Sequence, residues 1–279
     1  MVSQANLHDA TFSADAEDQG GRPAGVGDPG IVLAGVVLVA VLAGWELLVR
    51  SGMVQAFLLP APSNLVAQFL ADIVSPNVLR DAGYTFAEVI LGFGVGAVLG
   101  VGLGAAIALL PILEKVVWPY VITLQTIPKV AIAPLLIIWF GFGIESKILI
   151  VALICFFPIL VNSAAGFKST DARQLLLMSA MDATRWQVFR KVRLPTAIPF
   201  LIAGFRIAIV VSVIGAVVGE FLGASVGLGA LIIIRQSNMD VTGVFSVLMM
   251  LSLIGMAMNL FINLLAQRLA FWADTNVRL

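Results

Sequence analysis

Cysteine, histidine and charge are what this chain is short of. Its 279 residues hold one cysteine and one histidine. Cys155 stands inside an apolar run, which excludes a disulfide framework and a thiolate metal site. His8 lies in a polar N-terminal stretch, so histidine-based metal or acid–base chemistry has nothing to build on. Charged residues make up 11%, against about 25% in a soluble domain. The 16 Lys/Arg balance the 16 Asp/Glu, which leaves no net positive field for nucleic acid. No Gly-x-x-x-x-Gly-Lys-Ser/Thr sequence occurs, so the chain has no phosphate-cradling loop of its own. No pair of carboxylates sits at helical spacing within an apolar run, and no nucleophile–base pair can be built around a histidine. Neither enzymatic activity nor a bound metal or cofactor is expected.

What is abundant is apolar side chain. Hydrophobic residues make up 60% of the chain and gather in long runs, the pattern of an all-α polytopic membrane protein. Residues 1–30 are polar and acidic, with scattered Gly, Pro and Asp and no signal-peptide start. A disordered cytoplasmic tail is expected there, and one transmembrane domain over 31–279. Six apolar stretches are expected to span, at 31–49, 86–110, 116–140, 148–165, 199–222 and 241–266. Residues 50–84 read as a polar connection containing a short surface helix over 64–73. In the second span Gly92, Gly96, Gly100 and Gly104 fall on one helix face. Such a ridge lets a neighbouring backbone come close, and static packing is preferred over a sliding surface. Residues 223–238 are too short an apolar segment to cross, and read as re-entrant at the outer face.

Polar residues inside the apolar runs are the candidates for function. Pro119, Pro128 and Pro134 interrupt the third run, and Lys129 lies mid-run, about 20 Å of helix beyond Val116. A lysine at that depth costs about 2.5–3.5 kcal/mol on insertion scales unless it faces protein or water. Broken helices in transporters expose free backbone groups to a cavity, so Gln125, Thr126 and Lys129 are candidates for a translocation path. The competing reading is a lysine paired internally for packing. Arg206 and Glu220 lie in the fifth run, about 21 Å apart along a helix. They cannot pair with each other there, and each needs another partner or water. Both join the candidate path. Phe156 and Phe157, beside Pro158 in the fourth run, read as core.

One polar stretch stands out by its charge. Residues 168–199 hold Lys168, Arg173, Arg185, Arg190, Lys191 and Arg193 against Asp171 and Asp182. Ser169, Thr170 or Asp171 can cap a helix starting near Ala172. Asp182, Ala183 and Thr184 offer a turn and a second cap. A short helix over 185–192, stopped by Leu194-Pro195, would place Trp186, Phe189 and Val192 on one side.

Phe189-Arg-Lys-Val-Arg-Leu-Pro-Thr-Ala-Ile-Pro, followed by Ala203-Gly204, resembles the cytoplasmic coupling loop of ABC importer permeases. Pro128-Lys-Val-Ala-Ile-Ala-Pro-Leu, Trp139-Phe-Gly-Phe-Gly, Phe156-Phe-Pro, Gly219-Glu-Phe with Gly227-Leu-Gly, and Leu59-Pro-Ala-Pro-Ser after Trp45-Glu-Leu-Leu are similar to the nitrate/sulfonate/taurine-type permease family. The chain is identified as a suspected member of it over about 45–272. One departure stands in the coupling stretch. Where the family shows Glu-Ala-Ala, three residues and Gly, this chain has Leu176, Leu177, Met178 and then Asp182.

The resemblance implies the type I importer permease fold and a homodimer in the bacterial inner membrane. It also implies two separate ATPase subunits that bind the ATP, and an external solute-binding protein. It places coupling to the ATPase on Asp182, Ala183, Thr184, Arg185, Trp186, Phe189, Leu194 and Pro195, with Trp186 and Phe189 expected to contact an apolar groove. Gln125-Thr-Ile-Pro-Lys and Gly215-Ala-Val-Val-Gly-Glu lean toward members linked to pyrimidine precursors, riboflavin or aromatic acids, with sulfonate, taurine and nitrate open. With 168–199 inside, ten Lys/Arg fall on the cytoplasmic side. Four (Arg50, Arg80, Lys147 and Arg235) fall outside, which puts both termini in the cytoplasm. The alternatives are a self-contained secondary transporter, which would want inverted repeats and in-membrane ion sites, and a membrane scaffold or intramembrane enzyme.

Overall fold

The structure, a computed structural model, describes residues 29–55 and 58–269. The tail expected at 1–30 falls almost wholly outside them. The described residues are helical throughout: α1 (Pro29–Arg50), α2 (Pro62–Val74), α3 (Pro76–Leu109), α4 (Pro111–Thr126), α5 (Lys129–Phe140), α6 (Ile144–Lys168), α7 (Ala172–Ala180), α8 (Arg185–Val188), α9 (Leu194–Phe221), α10 (Leu228–Ser237) and α11 (Val241–Leu269). Five are long and apolar enough to cross a membrane, counting α8 and α9 as one, and α4 with α5 form a sixth crossing bent by 94°. Pro62, Pro76 and Pro111 each open a helix, where a missing N–H costs nothing.

Three boundaries differ from the sequence expectation. The second span begins at Pro76 rather than 86, because its first polar turns have partners: Asp81 accepts the Gly227 N–H at 3.2 Å and Thr85 accepts the Leu228 N–H at 2.8 Å. The third run is two helices parted at Ile127-Pro128, since the residue before proline is driven to extended backbone. The helix after Arg185 does not stop at Leu194-Pro195. A five-residue π-turn, Phe189–Arg193, carries it straight into α9, with the Leu194 N–H reaching back to the Phe189 carbonyl. The wider turn gives Pro195 the slack that a regular α-helix denies it.

Helix α6 is the centre. The ridge on α3 meets it residue by residue: Gly92 faces Val151, Gly96 faces Cys155, Gly100 faces Ile159 and Gly104 faces Ser163. The constant offset of these pairs makes the two helices parallel and in register. A methyl group at Gly100 would lie 2.9 Å from the Ile159 side chain and 3.0 Å from the Phe156 carbonyl. On the other flank α9 runs antiparallel, setting Gly204 against Asn162, Gly215 against Ile154 and Val151, and Gly219 against Lys147. Val89, Val151, Cys155, Ile159, Ala208 and Ile209 fill the shared core. The glycine ridge is thus a close-packed face.

At the end of the fold opposite α7 and α8, one ion pair binds three elements. Arg235 of α10 holds Asp72 of α2 in a bidentate pair at 2.6 and 2.7 Å, and also donates to the Gly243 carbonyl at 2.7 Å. Ser246 of α11 donates to the same carboxylate at 2.5 Å. Burial pushes the Asp72 carboxyl up, but the Arg235 and Ser246 hydrogen bonds outweigh it and hold the group below its usual range. Arg235, which the charge tally placed in an outer loop, is therefore an internal residue.

Two outcomes are expected of purified protein in thermal unfolding. Gly100→Val should cost about 1–3 kcal/mol through overpacking, whereas Gly102→Ala, which meets open space, should be neutral or mildly stabilising. Asp72→Ala should cost about 3 kcal/mol by removing the bidentate partner of Arg235, which keeps only the Gly243 carbonyl and the more distant Asp240, with Asp72→Leu/Arg235→Met recovering most of it. Because the folded carboxyl titrates lower than an unfolded one, the pair's contribution is complete above about pH 4. It is lost on acidification through the folded value. Equal stability of Asp72→Ala and wild type would remove the pair from the account.

Candidate functional site

The break at Ile127-Pro128 turns α5 away from α4 and leaves a cavity of about 350 Å³ between them, α6 and α9. Gln125, Lys129, Ile154, Phe157, Pro158, Val161, Asn162, Ile207 and Val211 line it. Lys129 is the first residue of α5. Its Nζ donates to the Gln125 carbonyl at 2.9 Å and sits 4.9 Å from the centre of the Phe157 ring. That carbonyl belongs to the last turn of α4, where no backbone N–H can reach it and the helix dipole is negative. Both partners are neutral groups. No carboxylate lies among the lining residues.

The other path candidates are placed differently. Thr126 turns its hydroxyl back to the Thr123 carbonyl at 2.7 Å and lies outside the lining. Arg206 precedes the lining residue Ile207, and its Nε is buried without a hydrogen-bond partner. Glu220 is 1% exposed and lies away from the cavity. It accepts from Thr85 at 2.6 Å and from the Gly229 N–H at 2.5 Å. Beside it Lys147 faces Glu88 at 3.6 Å, both nearly inaccessible. Lys147 was placed in an outer loop by the sequence; it is instead a buried residue of α6, one turn from Ile150 in the core. Glu88 went unnoticed because its partners come from helices distant in sequence. Asn162 and the wall residues Val161 and Val211 were missed too, since nothing but the fold brings them to one opening.

The basic stretch folds largely as its capping residues suggest. Asp171 accepts the Arg173 N–H at 2.8 Å and starts α7. Asp182 takes a left-handed φ of 50°, and the Ala183 N–H closes the turn onto the Met178 carbonyl at 3.0 Å. Thr184 and Gln187 form a reciprocal capping box that starts α8. Trp186 is 65% exposed and stacks on Phe189, which stacks in turn on Phe167 of α6. Phe189 thus belongs to the core cluster of Phe167, Ala197 and Leu201, while Trp186, Leu176, Leu177 and Met181 present an exposed apolar surface. Leu194 and Pro195 continue the span beneath it.

Comparison with known proteins agrees with this architecture. The family model for the binding-protein-dependent transport system inner membrane component matches residues 96–271. The formylaminopyrimidine transport permease protein ThiX of Halalkalibacterium halodurans is 36% identical over 76% of this chain and 84% of its own. The riboflavin transport system permease protein RibX of Chloroflexus aurantiacus is 35% identical over 85% of this chain and 88% of its own. The taurine permease TauC of Escherichia coli is 27% identical over 84% of this chain and 87% of its own. In fold, the chain is similar to a subunit of the inward-facing MetNI methionine ABC transporter, with a TM-score of 0.61 at 21% identity, over 69% of this chain and 95% of that one. The family model covers more than half of the sequence, and relatives above 30% identity cover three quarters of it or more. The chain therefore belongs to the binding-protein-dependent transport inner-membrane component family, as a permease subunit of an ABC importer whose ATPase is a separate subunit.

Proposed function

We propose that the cavity around Lys129 is this subunit's part of the translocation pathway, and that its cargo is a small organic or anionic solute handed over by an external binding protein. The observation that carries this reading is an uncompensated cation at a helix break inside the membrane domain. The cavity volume suits a solute of modest size. The relatives named for formylaminopyrimidine and riboflavin are the more similar of those described, which favours a pyrimidine precursor, riboflavin or an aromatic acid. Sulfonates and taurine stand second on the same comparison. Gln125 and Lys129 line the path in this reading, with Thr126 and Arg206 flanking it. Glu220 supports its outer end through α10.

The assembly proposed is a homodimer of this chain with two ATPases and both termini in the cytoplasm. Removing the buried Lys147 and Arg235 from the outer tally sharpens the Lys/Arg bias that supports the orientation. Coupling is assigned to the turn Asp182–Ala183–Thr184 with Arg185 and Trp186, and to Phe189, Leu194 and Pro195 as its mounting. The exposed Trp186 needs a surface to cover it, and the capped turn beside it is short and rigid.

Reconstitution in proteoliposomes with the ATPase and binding protein tests both parts. Lys129→Ala should reduce solute uptake per assembled complex by about tenfold or more, the scale of one hydrogen bond to a charged group. Unchanged uptake would make Lys129 a cap on α4 and nothing else. Ala183→Arg and Trp186→Ala should leave membrane insertion intact, while ATPase co-purification and solute-stimulated hydrolysis fall together. Full retention of both in each variant would leave the stretch as a topology signal only.

A further inference from the structure

The cavity has two unlike walls. On the α5 side stands a donor, the Lys129 ammonium. On the α6 side stands Asn162, whose Nδ2 donates to the Pro158 carbonyl at 2.8 Å. A carbonyl accepts only from a donor, so this bond fixes which way the amide is turned. Its Oδ1 has no donor among the described residues, yet it is not sealed in, since it is absent from the buried unpartnered atoms. What Asn162 has left to offer a solute is the Oδ1 acceptor and the second Nδ2–H. Pro158 adds to the same wall: having no N–H, it gives nothing to the carbonyl of Ile154, another lining residue. Asn162 is placed firmly, with its Cβ against Gly204 of α9, where a methyl group would come within 2.9 Å. Between the two walls the lining is apolar, from Phe157, Val161, Ile207 and Val211.

We propose that Asn162 is a specificity-determining residue, accepting a hydrogen bond from an N–H or O–H group of the solute while Lys129 takes an anionic or carbonyl edge. The substrate class is then a compact body carrying a donor on one edge and an acceptor on another, as an amide-bearing or amino-bearing heterocycle does. Solutes that are only anionic satisfy Lys129 and leave the Asn162 Oδ1 without a donor. A site built to receive a donor discriminates strongly against analogues lacking it, because its own buried polar group is then left unpaired. This inference rests on the reading of the cavity as the pathway.

The test is uptake by the reconstituted complex, using matched probes. A 4-aminopyrimidine is compared with its 4-dimethylamino analogue, and uracil with 1,3-dimethyluracil, with butanesulfonate as the anion lacking a donor. Wild type should favour each donor-bearing probe over its methylated partner. Asn162→Leu should shrink that preference by about tenfold, a ratio from which the binding protein's own selectivity cancels. Asn162→Thr, whose hydroxyl can both reach the Pro158 carbonyl and accept, should keep most of the preference, separating recognition from loss of fold. An unchanged preference in Asn162→Leu overturns the proposal, as does uptake of butanesulfonate in place of every donor-bearing probe, or uptake of none. Val211→Trp, which adds bulk to one wall and narrows the cavity, tests the underlying reading separately. If assembled Val211→Trp complexes transport as wild type does, the cavity is not the pathway and the assignment of Asn162 falls with it. If they are blocked while the Asn162→Leu preference is unchanged, only the assignment of Asn162 falls.

Discussion

Helix α6 is held at backbone distance on two sides, and the rest of the molecule is arranged around that constraint. Within a membrane, apolar surface alone gives no reason for helices to associate, since lipid is as apolar as leucine. Close approach must supply the attraction, and it is available only where side chains are absent. Four glycines of α3 and three of α9 remove them along the flanks of one helix. The resulting block of α3, α6 and α9 fixes where every other helix can attach. Its end away from α7 and α8 is tied by the enclosed Glu88–Lys147 pair, which sits one turn beyond Gly92 in the same register.

That rigid block is the reason a broken helix beside it produces a cavity instead of collapsing. Helices α4 and α5 cannot lie flush on α6 after a 94° bend, and the core residues lining α6 have no slack to fill the gap. Charge is then distributed in a telling way. Lys147, Lys168 and Arg235 each have a carboxylate within 4 Å. Lys129 has only a carbonyl and an aromatic ring. Arg206, whose Nε is buried without a partner among the described residues, shares that availability with Lys129.

The spans, the short helices at both membrane faces and the caps of the basic stretch were legible because each rests on local chemistry: apolar length, capping side chains, proline position. The glycine ridge was legible as a close-packed face, though not which helix it meets. Lys129 was found by its depth in a broken run, a signal one segment carries alone. Asn162 was not found, since an asparagine in a span has many ways to satisfy itself and only the fold shows that one oxygen is left over. The internal pairing of Lys147 and Arg235, both counted outside, was not foreseen for the opposite reason. A cation near the end of an apolar run reads as an exposed anchor unless its carboxylate partner, here 59 or more positions away, is known to be beside it. The stop expected at Leu194-Pro195 failed because proline rules assume an α-helix, and a π-turn relaxes them.

The failure at Leu194-Pro195 bears most directly on how the molecule can work. Had the helix ended there, the exposed Trp186 surface and the cavity would be joined by a flexible hinge. Instead one helix runs from Arg185 to Phe221, through the π-turn and past the cavity residues Ile207 and Val211. From Trp186 to Val211 is about 37 Å along one helix, with the π-turn, Pro195 and Pro199 as the places where it can bend. Under the proposed coupling, a displacement imposed on Trp186 by an ATPase reaches the cavity wall along this helix. Phe189, stacked between Trp186 and Phe167, ties the same helix to the end of α6. The two walls of the cavity, α9 with Val211 and α6 with Asn162, are thus both fastened to one coupling surface. Lys129 stands on α5, which has no described contact with that surface. Motion of the coupling stretch would therefore change the separation between the lysine and the opposite wall, which is the distance a bound solute must span.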